Sequence, residues 1–300
     1  MEYHRLLTRG APGPWRPVVG LLLLAIAFVL VVPVVSYSVF AGLVDDPATV
    51  LDTDVLTPWG LAYVNATIAA MIPVTWLLVR AVHGVRPRWL ASVRPRIRWG
   101  WLGLCLVLSV AALLGTVLLS AFVPASAETT EVSTTLNDFT TTTRDFLLVI
   151  VLLTPLQAVG EEYVFRGYLT QAFGSLWSSP YVAVLGPALL FALAHGAQSL
   201  PVFIDRLAFG IVSGVLVIRT GGLEAGIAMH VLNNFLAFGL LLAFGDMASA
   251  LDPPEGSWWG VLVTVVRSVG FVVLVLVVAR AIGLQTRTTQ PVLEAPAGPV

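Results

Sequence analysis

A pair of glutamates stands inside a stretch that otherwise dissolves in hydrocarbon. Val159-Gly160-Glu161-Glu162-Tyr163-Val164-Phe165-Arg166-Gly167 follows directly on the apolar run from Phe146 to Leu153. On insertion scales a charge near the centre of a membrane helix costs roughly 2.5–3.5 kcal/mol, while a Leu or Val returns only about 0.3–0.6. Three such charges ask for ~8–10 kcal/mol from an isolated helix, which calls for a function. Glu162 and Arg166 share a helical face at a spacing of four and can neutralise each other. Glu161 is turned about 100° away and has no partner in its own turn. One carboxylate is therefore expected to be structurally satisfied and the other chemically available.

Two later stretches offer it partners. Phe191-Ala192-Leu193-Ala194-His195 closes the next apolar run, and the turn at 175–180 lies nearly midway between Glu161 and His195. An antiparallel hairpin would bring the two to similar depth. Further on, Met229-His230-Val231-Leu232-Asn233-Asn234 places His230 and Asn234 on one face, His230 about 12 Å from the turn at Gly221-Gly222 at ~1.5 Å per residue. Asn233, on a neighbouring face, reads as a packing or supporting group. Two Glu, two His and an Asn in a bilayer permit water activation: a carboxylate or imidazole takes the proton, and His and Asn donors stabilise an oxyanion. The set would equally allow a metal held by Glu161, His195 and His230 with one position open to water. Neither an HExxH zinc helix nor a serine in a nucleophile elbow occurs. Without chemistry, the same groups would be a salt-bridge network and interhelical hydrogen bonds.

The elements that must position these groups follow from composition. Of 300 residues, 57% are hydrophobic and 11% charged. Soluble domains carry about 25% charged residues, so this is the composition of a bilayer protein. A span needs about 20 apolar residues, and suitable runs lie near 18–40, 58–82, 99–123, 146–172, 180–198, 201–219, 222–245 and 258–283. The first is too long for the core of a cleaved signal peptide and reads as a signal anchor. The first connection carries Asp45, Asp46, Asp52 and Asp54, and the second carries Arg86, Arg88, Arg94, Arg96 and Arg98. The third holds Glu128, Glu131 and Asp138 against only Arg144, with Thr140 to Thr143 read as solvated. Asp246, Asp252 and Glu255 follow the side of the first connection, and Arg219, Arg280 and Arg287 that of the second. Basic loops stay in the cytoplasm, so both termini and the Arg86–Arg98 loop are expected inside. That loop reads as a topology determinant against anionic lipid, with no nucleic-acid partner. Gly210-x-x-x-Gly214 lets two helices approach closely. The lone Cys105 excludes an intramolecular disulfide. No internal repeat or inverted pair of broken helices supports a transporter.

Glu161-Glu162-x-x-x-Arg166, then Phe191-x-x-x-His195, then His230-x-x-x-Asn234 resemble the signature motifs of the CAAX prenyl protease and bacteriocin-processing (CPBP) family of intramembrane endopeptidases. Arg206-Leu207-Ala208-Phe209-Gly210 and Arg219-Thr220-Gly221-Gly222 are similar to its connecting segments, and the resemblance covers about residues 146–240. It implies a helical intramembrane protease opening toward the cytoplasm. In it Glu161 and His195 would activate water, His230 and Asn234 would hold the oxyanion, Glu162 would position the site and Arg166 would brace it. Zinc is described for the family but contested, so no cofactor is certain. The eukaryotic branch trims prenylated CAAX tails. This Lys-free, signal-anchored chain looks bacterial, which leaves its substrate open.

The expected fold is all-α, a polytopic bundle of about eight spans around an intramembrane polar cavity. It divides into a cytoplasmic tail (1–17), about three N-terminal spans (18–145), a catalytic core (146–245), a last loop and span (246–283) and a disordered tail (284–300). The expected activity is hydrolysis of a peptide bond in a membrane-associated or lipidated polypeptide, in a bacterial plasma membrane. Glu161, Glu162, His195, His230 and Asn234 would be catalytic, with Arg166, Phe191 and Asn233 supporting them. Two rivals use the same pocket: a non-catalytic scaffold or bacteriocin-immunity protein, and an ion or proton transporter carrying its load on Glu161.

Overall fold

The computed structural model describes residues 1–52, 55–120, 135–196, 199–251 and 256–293. Asp54, Glu128, Glu131, Asp252, Glu255 and the tail beyond 293 lie outside the described residues. Eight helical segments follow one another: α1 (Trp15–Ala41), α2 (Pro58–His83), α3 (Trp99–Ser120), α4 (Thr141–Leu176), α5 (Pro180–Ala194), α6 (Leu200–Thr220), α7 (Glu224–Phe244) and α8 (Trp258–Ala281). Six are long and apolar enough to cross a membrane, while α5 and the Trp99–Gly115 part of α3 are shorter apolar helices. The protein is an all-α integral membrane bundle, with no sheet among the described residues.

Local chemistry sets the boundaries. Thr57 caps α2 by accepting from the Gly60 N–H, and Thr140 and Thr143 close a reciprocal box at the start of α4. Gly221, at φ 71°, ends α6 in the left-handed conformation that only glycine adopts without strain. α4 is interrupted at Leu153, about two turns before Glu161, with Pro155 in its next first turn. It then winds as a π-helix from Glu162 to Leu169, every residue of which is buried. That winding departs from the regular α-helical spacing expected here, although the Glu162–Arg166 pair survives it.

α4 is the central helix, enclosed by α1, α2, α5 and α7, while α6 packs on α5, α7 and α8. Small residues allow the closest approaches. A Cβ on Gly210 would stand 3.0 Å from Ala188 Cα, and one on Gly214 would stand 3.0 Å from Val184 Cγ1. The GxxxG stripe thus seats α5, as expected. A Cβ on Gly160 would lie only 2.4 Å from the Ile68 carbonyl oxygen. Gly160→Ala should force α4 off α2 and destabilise the protein by about 1–3 kcal/mol, an overpacking cost, read as a lower Tm in detergent.

The connections gather on two faces. On one, Met1 N donates to Thr288 O, Arg287 Nη2 to Glu2 Oε1 (2.6 Å) and Val93 N to Gly221 O (2.8 Å). The segment read as a tail is therefore docked over 285–292, where Val292 is buried. The Arg86–Arg98 loop lies here too, with Arg88, Arg94 and Arg96 exposed. Arg98 is not: its Nε and Nη2 grip both Glu224 oxygens (2.8 and 2.6 Å), and Nη1 donates to Thr220 O and Gln285 O. On the opposite face Leu56 N donates to Ala248 O (3.0 Å), Asn137 N to Ala243 O (2.7 Å) and Gly256 N to Ser199 Oγ (3.2 Å).

Candidate active site

The carboxylate pair is built from the α4 backbone outward. Glu162 is fully buried and fully engaged: Arg166 Nη1 stands 3.2 Å from Oε1, His230 Nδ1 donates to Oε1 at 3.0 Å, and Ser213 Oγ donates to Oε2 at 2.7 Å. Arg166 is held from its other side by aromatic faces, its guanidinium carbon 4.2 Å from the Phe191 ring centroid and 5.8 Å from that of Phe209. This is the satisfied carboxylate that the spacing predicted.

Glu161 differs from expectation. It does have a local partner, because Gln157, one turn earlier, donates through Nε2 to Oε1 at 2.8 Å. Its Oε2 faces His230 Nε2 at 3.3 Å, yet accepts no hydrogen bond of good geometry among the described residues. The imidazole thus stands between the two carboxylates, Nδ1 bonded to Glu162 and Nε2 facing Glu161.

His195 sits just past α5, where Gly196 takes φ 80° and stops the helix. Its Nδ1 bonds the Phe191 carbonyl at 2.8 Å. A carbonyl only accepts, so the proton is on Nδ1 and Nε2 is the basic nitrogen. Phe191 packs on His195 (4.6 Å between centroids) and Phe209 on His230 (5.0 Å), so aromatic rings set the orientation of both imidazoles. Asn234 Nδ2 donates to Gln157 Oε1 at 3.0 Å, and Asn233 Oδ1 accepts from Arg267 Nη2 at 2.8 Å, tying α7 to α8.

Glu161, His195, His230, Asn233 and Asn234 all line one cavity of about 650 Å³ between α2, α4, α5, α6 and α7. Glu162 and Arg166 lie behind that wall. Gln157, Phe209 and Arg206 also line the cavity, none of them a site residue expected from the sequence. Gln157 had a signal, its i, i+4 spacing to Glu161. Ser213 had none beyond being a small polar residue between glycines. Gly226 is a further requirement, since a Cβ there would stand 2.7 Å from Glu162 Oε2 and 2.6 Å from Ser213 Oγ. Gly226→Ala should displace the Glu162 carboxylate and lower both stability and any activity, read by Tm and turnover together.

Among the described residues no three His, Cys, Asp or Glu side chains are placed together to hold an ion. The bonds from His195 Nδ1 to the Phe191 carbonyl and from His230 Nδ1 to Glu162 are also those that orient a metal-binding imidazole, so they do not by themselves speak against one. Glu161, His195 and His230 are thus not grouped as ligands of one ion in this arrangement.

Residues 143–236 match the family model described as Type II CAAX prenyl endopeptidase Rce1-like. The motif-bearing core is similar to that family. Every motif residue from Glu161 to Asn234 falls within this Rce1-like segment, in agreement with the resemblance carried by the motifs. An uncharacterized protein, YyaK of Bacillus subtilis (strain 168), is 35% identical over 94 residues, which are 29% of this chain and 31% of that protein. The chain thus spans about a third of the length of that curated relative. No solved structure matches.

Proposed function

We propose that the protein is an intramembrane endopeptidase that hydrolyses a peptide bond of a membrane-associated polypeptide with a carboxylate-activated water. The observation that carries this reading is Glu161 Oε2. It is a buried acceptor in the cavity wall that takes no hydrogen bond of good geometry among the described residues, and its sister Oε1 is held by Gln157. A water donating to Oε2 would face the cavity. Glu161 draws off its proton as the oxygen attacks the carbonyl carbon of the scissile bond. The developing oxyanion accepts from the second Asn234 amide proton, the first being engaged with Gln157 Oε1, and lies beside His230 Nε2, which donates to it once that nitrogen carries a proton. Collapse of the tetrahedral species breaks the C–N bond. The amine leaves with the proton held by Glu161 or relayed through His195 Nε2.

Glu162, with Arg166 and Ser213, anchors Nδ1 of His230 and so directs Nε2 toward the reacting oxygen. Gln157 is a positioning residue that fixes base and oxyanion donor relative to each other. Gln157→Leu removes two hydrogen bonds with little loss of volume. It should leave KM in place and lower kcat by roughly tenfold, the equivalent of about 1.4 kcal/mol.

The direct test uses purified protein and a membrane-anchored reporter peptide. Wild type should cleave it and His195→Ala should not, with both giving the same elution profile in detergent. Undiminished turnover by a well-folded His195→Ala would remove His195 from the mechanism, and an inert wild type across a peptide library would favour a scaffold.

A further inference from the structure

The cavity is asymmetric across the bundle. Toward the face holding residues 1–9 and 285–292 it is closed off beneath the carboxylates. Tyr168, Gln171 and Ala172 of α4 are buried there against Tyr3, Leu6, Trp89 and Leu90. Gln171 Nε2 donates to Trp89 O (3.0 Å), Arg5 Nη1 to Gly174 O (2.7 Å) and Tyr3 to Leu90 O. A Cβ on Gly174 would lie 2.0 Å from His4 O, so the N-terminal segment is pressed directly on the helix. In the other direction the cavity wall continues through Val202 and Leu241 to Ser199, Ala250 and Leu251, which belong to the connections of the opposite face. Leu251 is 51% exposed.

The two faces differ in charge. The closed one carries Arg5, Arg9, Arg88, Arg94, Arg96 and Arg287 with Glu2, and the one the cavity reaches carries Asp45, Asp46, Asp52, Asp138, Asp145 and Asp246 with Arg144. Basic connections are retained in the cytoplasm whereas acidic ones contribute little to orientation. We propose that the site is reached from the acid-rich, non-cytoplasmic face. Its substrate is then the exported or outer-leaflet portion of a membrane polypeptide. This rests on the peptidase reading for the word substrate, but the geometry of access does not. It runs against the cytoplasmic opening that the family resemblance implies, and it excludes a polypeptide tail offered from the cytosol.

Cysteine accessibility tests it independently of catalysis. The chain has a single cysteine, Cys105, which is 0% exposed, so the full-length protein has a low labelling background. Ser199→Cys and Leu251→Cys report the mouth, Ala237→Cys the deeper wall, and Arg88→Cys the opposite face. A membrane-impermeant maleimide applied to spheroplasts should label positions 199, 237 and 251 as fully as it does after permeabilisation. Arg88→Cys should be labelled only after permeabilisation. The reverse pattern would overturn the proposal by inverting the orientation. Labelling of Arg88→Cys from outside together with the mouth positions would overturn the charge argument. Labelling of position 237 only after permeabilisation, with 199 and 251 reached from outside, would overturn the access route. Because no cleavage is read, a protein that proves not to be a peptidase still gives a clear answer, and a peptidase approached from the cytoplasm does too.

Discussion

Glu161→Gln is expected to lower kcat/KM on a membrane-anchored reporter peptide by about 10²–10⁴-fold, the range that a positioned general base contributes. The substitution is nearly isosteric. Its carbonyl oxygen can still accept from Gln157 Nε2, as Oε1 does at 2.8 Å, so α4 keeps its local support. What disappears is the basic oxygen facing the cavity. The comparison that gives this weight is Glu162→Gln. There the loss falls on a carboxylate outside the cavity wall, whose removal leaves the buried Arg166 without its counter-charge. Breaking a buried pair from one side costs on the order of 3–5 kcal/mol, so Glu162→Gln should mainly lose folded protein, with a smaller fall in turnover per molecule because the Gln carbonyl can still accept from His230 Nδ1. Measured together, Tm and active-site-normalised kcat separate the two glutamates. If Glu161→Gln turned over substrate at the wild-type rate while remaining folded, the water-activation scheme would be wrong. If both variants merely unfolded, the pair would be structural and the scaffold reading would gain.

How legible the site was depends on what kind of fact each residue expresses. Charges in hydrocarbon announce themselves, and Glu161, Glu162 and Arg166 were conspicuous because their cost is large and local. Periodicity carried the Glu162–Arg166 pair and the placement of His230 with Asn234, since those are relations within one helix. It failed for Glu161. The partner Gln157 lies at an equally simple spacing, but a neutral amide in a span costs little and was passed over. The π-helical winding from Glu162 to Leu169 was also invisible, since the apolar spacing there reads equally well as a regular α-helix. Gly160 presses on α2 and Gly226 makes room for the Glu162 carboxylate, and both contacts exist only after the helices have met. The same limit hid the bridging geometry of His230, which needs Nδ1 and Nε2 placed between side chains that adjoin in sequence but flank the ring in space. The succession of spans, by contrast, was plain from hydropathy alone. A bilayer demands long apolar helices and tolerates no substitute.

Arg98→Ala is expected to be the most destabilising single change away from the cavity, at about 3–5 kcal/mol. The basic cluster at 86–98 looked uniform in sequence, yet Arg98 is 9% exposed and its guanidinium joins three parts of the chain. It binds both oxygens of Glu224 at the first turn of α7, and the carbonyls of Thr220 and Gln285 take its remaining Nη1 protons. Its own backbone N–H also donates to Glu224 Oε1 at 2.9 Å. Glu224 is 0% exposed, so removing the arginine strands a carboxylate with one backbone donor where water does not compensate. Glu224→Ala strands the cation instead and should cost a similar amount. The double variant Arg98→Leu/Glu224→Leu removes both charges and their desolvation together, and should recover most of the loss. Thermal unfolding in detergent gives the four corners of this cycle. Additive losses would mean that the pair acts only through packing. The ion pair lies on the face away from the cavity, so the double variant should retain wild-type kcat on the reporter peptide. That outcome would confine the role of Arg98 to clamping α3, α7 and the segment at Gln285, and a fall in kcat at full stability would instead connect this clamp to the placement of His230 two turns along α7.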